Sequence, residues 1–216
     1  MTLYETIFVR RQVRKYSDTL LDAQALENIQ RYISSIEQIS GQQAQFEIVS
    51  AEAVNGNGAP HYLLSYCGEN SAAYANVGYV LQEADLYIQS IGLGSGWFMG
   101  VQPRDKSDNH CMTLAFGNTD VPLRKGAEDF KRISIDKISP IDNAVSQAVR
   151  LAPSAMNSQP WKLDFSDGKV IVKDVGRGIM RAMLRGKLNK IDTGIAVRHA
   201  VIALEHEGKT VTAIMP

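Results

Sequence analysis

The chain has 216 residues, 44% of them hydrophobic and 21% charged, with 23 basic and 23 acidic side chains. That composition fits one large globular domain or two small ones and excludes disorder and collagen-like structure. A formal charge of zero argues against sequence-independent nucleic-acid binding, and two cysteines, Cys67 and Cys111, exclude a disulfide scaffold and a thiolate zinc site.

The first segment, Met1 to Val9, is too short for the apolar part of an export signal, and the basic residues follow it instead of preceding it. No stretch reaches the length of a membrane span. The reading is therefore a cytoplasmic protein without a membrane or nucleic-acid partner.

In chain order, Thr2 to Val9 reads as a short helix that runs into Arg10, Arg11, Arg14 and Lys15. Ala23 to Ile39 is helical, with Leu26, Ile29, Ile33 and Ile36 on one face. Gln45 to Ala51 and His61 to Cys67 read as strands around an Asn55 to Gly58 turn. Ala73 to Ile91 is a helix that Gly92 stops. Trp97 to Val101 and Cys111 to Phe116 are expected strands, separated by a polar turn from Pro103 to Asn109. Asn118 to Ile138 is a charged, weakly patterned linker. Ile141 to Leu151 is helical, and Lys162 to Phe165 pairs with Lys169 to Lys173 around Asp167-Gly168. Ile179 to Leu188 and Asp192 to Glu207 are expected helices, and Lys209 to Met215 a last strand.

A faint repeat runs through this order. Gly78, Ala84 and Gly92 stand 116 positions before Gly194, Ala200 and Gly208.

Four segments carry possible chemistry. VRRQVRKY, from Val9 to Tyr16, clusters guanidinium groups suited to phosphate or carboxylate; taken alone it reads sooner as a solvated basic turn. APSAMNSQPW, from Ala152 to Trp161, places Ser154, Asn157, Ser158 and Gln159 between two prolines. Amides both donate and accept, which suits the edge of a heteroaromatic ring. GLGSGWFMG, from Gly92 to Gly100, brings backbone close to a neighbour, but lacks the dinucleotide-binding spacing and the Walker lysine. Arg177, Arg181 and Arg185 share a helical face that is either solvated or anion-binding. The histidines show no metal spacing, and neither a Gly-x-Ser-x-Gly elbow nor a carboxylate pair is present. No catalytic side chain is nominated, so the hard chemistry belongs to a cofactor.

Together, VRRQVRKY, GLGSGWFMG and APSAMNSQPW resemble the FMN-dependent nitroreductase family. In ordinary members the Pro-Ser…Asn-x-Gln-Pro-Trp loop follows the basic motif with one helix between. Here that place reads ISGQQAQF, Ile39 to Phe46, and the loop comes about a hundred residues later. The chain is similar to the single-chain, tandem subgroup in which two degenerate half-subunits are fused. The resemblance implies an α+β fold, with a mainly antiparallel central sheet flanked by helices and two pseudo-symmetric halves. These are residues 1–138, with the basic motif and Gly-rich segment, and 139–216, with the polar loop.

It also implies one composite FMN site per chain and a monomer with an internal pseudo-dimer. Arg10, Arg11, Gln12 and Arg14 are expected at the ribityl chain and phosphate, with Gln12 where Ser is frequent. One of Arg124 and Lys125 completes the phosphate site. Leu93, Gly94 and Ser95 pass beside the ring system. Pro153, Ser154, Ala155, Asn157 and Gln159 form the loop on its other side, Ala155 offering backbone only. The implied activity is ping-pong hydride transfer from NADH or NADPH to a nitroaromatic or quinone. The alternative is a flavin-binding sensor or storage protein without turnover, or a vestigial site.

Overall fold

A computed structural model describes residues 1–39, 41–56, 58–105, 109–166, 168–176 and 186–209, and the backbone of 213–214. Two long helices form its centre: α3, Ser71–Ser90, and α5, Leu188–His206. Both are apolar on nearly every side because other elements cover them all round. They cross with almost no side chain between them. A Cβ on Gly78 would lie 2.0 Å from the Ile191 carbonyl oxygen, and one on Gly194 would lie 1.8 Å from that of Ala75. These contacts mirror each other, since Ala75 and Ile191, like Gly78 and Gly194, stand 116 positions apart.

The helix from Ala23 starts as expected but ends at Ser35, four residues before the expected Ile39, and α3 starts at Ser71, two before the expected Ala73. Asp22 caps α2, Ala23–Ser35, and Asn70 caps α3, each through its side-chain oxygen. Asn143 caps α4, Ala144–Arg150, in a capping box with Ser146, so this helix starts later than the expected Ile141. Gly92 ends α3 at φ +90°, with the Leu93 N–H on the Ile88 carbonyl; Gly208 ends α5 at φ +66°, with Lys209 on Leu204. The short first helix, α1, is Leu3–Ile7.

Two sheets flank this centre. The first is antiparallel, in the order β1 (Gln45–Ser50), β2 (His61–Tyr66), β4 (His110–Gly117), β3 (Gly94–Trp97). The second pairs β5 (Trp161–Ser166) with β6 (Lys169–Asp174) antiparallel, and β6 with β7 (Ala213–Ile214) parallel. The sheet chemistry is thus split between two sheets instead of one, and mainly antiparallel as expected. The hairpin around Gly168 is present.

β3 departs from the sequence reading, which placed a strand at Trp97 to Val101. Gly94 to Trp97 pairs with Leu114 to Gly117 instead. The reason is close coverage. A Cβ on Gly96 would lie 2.3 Å from the Val13 carbonyl oxygen, so the basic N-terminal segment lies directly on this strand. α5 also begins four residues before the expected Asp192. The region from Asn118 to Ile138 contains only two 3-10 turns, Ala127–Asp129 and Ile135–Lys137. Most of the expected helix from Ile179 to Leu188, the arginine face Arg177, Arg181 and Arg185, and parts of the Asn55 and Pro103 turns lie outside the described residues.

Candidate functional site

The basic segment after α1 is held by α3. Arg10 is 2% exposed, and its Nε lies 2.9 Å from Oδ2 of Asp85, which is fully buried. Two charges are removed from water here, and the pairing compensates much of that cost. Asp85 also accepts from Ser95 Oγ at 2.5 Å and from Gln89 Nε2 at 3.1 Å. Gln89 in turn clamps the backbone of Arg11, accepting its N–H at 2.8 Å and donating to its carbonyl at 2.9 Å. Gln12 does the same to Trp97, through bonds of 3.1 and 3.0 Å. The amide of Gln12 and the hydroxyl of Ser95 thus serve the fold at this end of the site.

Other expected residues are freer. Arg11 is half-buried, and Arg14 is exposed, with its guanidinium 5.8 Å from the Phe98 ring centre. Leu93 and Gly94 line a cavity of about 230 Å³ together with Val13, Gln89 and the backbone run from Thr119 to Leu123. Cofactor sites commonly span roughly 300–1,000 Å³, so this cavity accommodates part of a large ligand, not all of it.

Leu123 leads into Arg124, which draws the two ends of the site together. Its N–H bonds the Val9 carbonyl at 2.8 Å, and its guanidinium donates to the Arg10 carbonyl. The guanidinium lies 4.2 Å from the Phe130 ring centre, and that of Arg132 lies 5.4 Å from the same ring. Arg132 then donates to Asn157 Oδ1 at 2.7 Å and to the Leu151 carbonyl at 3.2 Å. A continuous row therefore runs from Arg10 through Arg124, Phe130 and Arg132 to the polar loop. Lys125, by contrast, is exposed, and its backbone N–H caps Asp129.

This row carries excess positive charge. Burial, and after it repulsion from Arg10, Arg124 and Arg150, lowers the pKa of Arg132 to about 9. Arg124 is lowered by burial, then by Arg10 and Arg11, with Asp129 opposing. The Nε of Arg132 and the Nη2 of Arg10 are buried without a hydrogen-bond acceptor. Crowded guanidinium groups with unused donors form a site for an anion. Arg132 escaped the sequence reading because it lies in weakly patterned sequence, and Arg150 because it is a single cation at the end of a helix. Asp85 and Gln89 were hidden as polar breaks in an apolar helix.

The polar loop lies at the far end of the row. Its side chains largely bond one another. Ser154 Oγ accepts from the Gln159 N–H at 2.9 Å. Gln159, which is buried, accepts from the Ile133 N–H at 2.9 Å and donates to the Asn157 carbonyl at 3.2 Å. Asn157 also donates to the Lys131 carbonyl at 3.0 Å. Met156, Asn157 and Gln159 have φ of 55°, 55° and 48°, unusual for residues other than glycine. Pro153 is half-buried at the loop's start, and the Ala155 N–H points at Asp192 on α5. The structure thus brings the basic segment, Arg124 and the polar loop into one row. Among the described residues no group of three His, Cys, Asp or Glu side chains could hold a metal. No described helix is long and apolar enough to cross a membrane.

Among solved structures, the chain is similar to a "putative nitroreductase" from Thermotoga maritima MSB8, at 19% identity, TM-score 0.73, over 97% of this chain and 87% of that one. It is also similar to a nitroreductase family protein from Clostridium difficile 630, at 16% identity, TM-score 0.51, over 63% and 96%. At these identities the likeness is one of fold. No curated protein matches the sequence. The family described as "Putative TM nitroreductase" matches residues 2–204, nearly the whole chain, and the chain belongs to that nitroreductase family.

Proposed function

We propose that the chain is an FMN-dependent oxidoreductase that accepts hydride from NADH or NADPH and reduces a nitroaromatic or quinone in ping-pong turnover. The observation that carries this reading is the arginine row, where Arg124 and Arg132 crowd one another beside buried, unused donors. A phosphate there would relieve the repulsion and take up those donors. The residues present therefore fit the phosphate end of FMN. Arg11 and Arg14 extend the same positive surface, and Arg124 is the member of the Arg124-Lys125 pair placed to complete it. Leu93 and Gly94 line the cavity beside the row, and Asn157 closes its other end.

Bound FMN would supply the hydride chemistry. The chain's own part is to hold the phosphate by charge, to fix the ring between the Gly92–Ser95 segment and the loop from Pro153 to Gln159, and to keep positive charge near the site. Such charge favours the reduced, more anionic form of a bound flavin.

The composite site belongs to a tandem reading, with residues 1–138 and 139–216 as two half-subunits and the chain a cytoplasmic monomer. Two features support it: the reciprocal contacts of Gly78 with Ile191 and Gly194 with Ala75, and the 116-residue offset that maps β1 onto β5. The test is FMN retention. Protein incubated with FMN and gel-filtered should keep about one equivalent per chain, and Arg124→Ala with Arg132→Ala should weaken binding by tenfold or more. No retained flavin overturns the reading; two equivalents overturn the composite site.

A further inference from the structure

We propose that Asp192 is the positioning residue of this site, holding the loop Ala155 to Gln159 in its working shape through both oxygens of its carboxyl group. The role in binding rests on the cofactor reading above; the clamp itself does not.

Asp192 lies in the second turn of α5 and is 3% exposed. Its two oxygens receive the Ala155 N–H at 3.0 and 3.1 Å, and Oδ2 lies 3.4 Å from Ser158 Oγ. It thus grips both sides of Met156 and Asn157, two of the residues held at positive φ. Backbone in that region persists only where its surroundings enforce it.

The other long helix shows what the fold alone requires here. Asn76 of α3 accepts the Ile39 N–H on Oδ1 at 2.8 Å. Ile39 and Asn76 stand 116 positions before Ala155 and Asp192, so the same clamp is built twice. In the first region, whose loop lacks the polar motif, a neutral amide suffices. In the second region the amide is replaced by a carboxylate, although a buried carboxylate without a cation is unfavourable. Asn has one acceptor oxygen, whereas a carboxylate accepts on both and can hold Ala155 and Ser158 together. A fold-only role explains the amide but not the charge.

Burial, against the Ala155 and Ser158 donors and with a smaller push from Asp174, holds the Asp192 carboxyl up at about 7. Asp174, at the end of β6, pairs with Lys190 of α5 at 2.9 Å. α3 faces this part of α5 with Ala75 and Gly78, which carry no charge. Opening exposes the carboxyl to water, where its pKa is the ordinary value near 4, so the closed loop binds the proton more tightly and should gain stability as pH falls from 8 to 6. With a pKa near 7 in the closed state the gain over that range is roughly tenfold.

The experiment compares the wild-type chain with Asp192→Asn between pH 6 and 8. Backbone hydrogen exchange of Ala155 to Gln159 is read in the flavin-free protein, corrected for intrinsic exchange. FMN affinity is read by equilibrium dialysis. The wild-type loop should gain about tenfold in protection on going to pH 6. Asp192→Asn should be flat in protection and resemble the wild type at low pH, and the wild-type affinity divided by the variant's, in which the titration of the FMN phosphate cancels, should rise about tenfold on going to pH 6. A wild-type loop whose protection does not rise as pH falls overturns the proposal, as does an Asp192→Asn chain that follows the wild-type profile. If exchange behaves as expected while FMN fails to bind at every pH, the clamp stands and the cofactor reading falls.

Discussion

α3 and α5 occupy matching places in the fold, yet they use their buried polar residues at different ends. α3 holds the basic segment through Asp85 and Gln89, in its last turns. At the matching positions α5 carries Val201, which is buried, and Glu205, which is exposed. α5 holds the polar loop through Asp192, in its second turn, where α3 has only Asn76. Each helix has thus kept the anchor for one part of the site and let the other become ordinary core or surface. The composite site proposed above follows from that division: neither helix presents both parts.

The comparison breaks most visibly at Asp85. Asp85→Ala would leave the Arg10 guanidinium buried without its carboxylate and remove the acceptor for Ser95 and Gln89. The expected loss is about 3–5 kcal/mol in denaturant unfolding. Val201→Ala, at the matching place on α5, removes only apolar atoms and should cost about 1–3 kcal/mol. Equal losses at the two positions would mean that the polar network around Asp85 contributes nothing beyond packing.

The helix crossing sharpens the comparison from the other side, because there the two helices should behave alike. Gly78→Ala and Gly194→Ala each place a Cβ against a backbone carbonyl that no rotamer change can move. Overpacking of this kind costs about 3 kcal/mol, and near-equal values are expected at the two sites. The measurement is the shift in unfolding midpoint of each variant. A clear inequality would show that the crossing is not symmetric in energy, whatever its geometry.

The sequence showed much of this scaffold, and the physical reason is local. Gly92 acts on its own helix end, so its effect is visible within a few residues. The site was legible where residues cluster, as in Arg10 to Arg14 and Ser154 to Gln159. It was not legible where its parts are joined across the fold. Arg132 reaches Asn157 across 25 positions, and Asp192 reaches Ala155 across 37. Neither has a sequence neighbour that marks it. β3 was misplaced for a related reason: Gly94 and Gly96 look like turn residues until Val13 and Gln12 are laid over them. Nor does sequence reveal that Gln12, Ser95 and Gln159 bond to protein groups already, because their partners lie far along the chain.

The smallest expected effect on stability comes from making one loop like the other. Asn157 has φ of 55°, and Gly41, 116 positions earlier, has φ of 77°. Both loops therefore pass through the left-handed region at the same place, once with glycine and once with asparagine. Asn157→Gly would keep that backbone and relieve a conformational cost of roughly 1 kcal/mol. It would also remove the bonds to Arg132 and to the Lys131 carbonyl, each worth about 1 kcal/mol and less where water can replace them. Asn157 is exposed, so the two effects should nearly cancel, leaving the thermal midpoint within a few degrees of wild type. FMN affinity should nevertheless fall, because Arg132 loses its shortest hydrogen bond and keeps only the Leu151 and Lys131 carbonyls to orient it. A variant that unfolds much earlier would assign Asn157 to the scaffold. A variant with unchanged stability and weaker FMN binding would assign it to the site, as the contrast between the two loops requires.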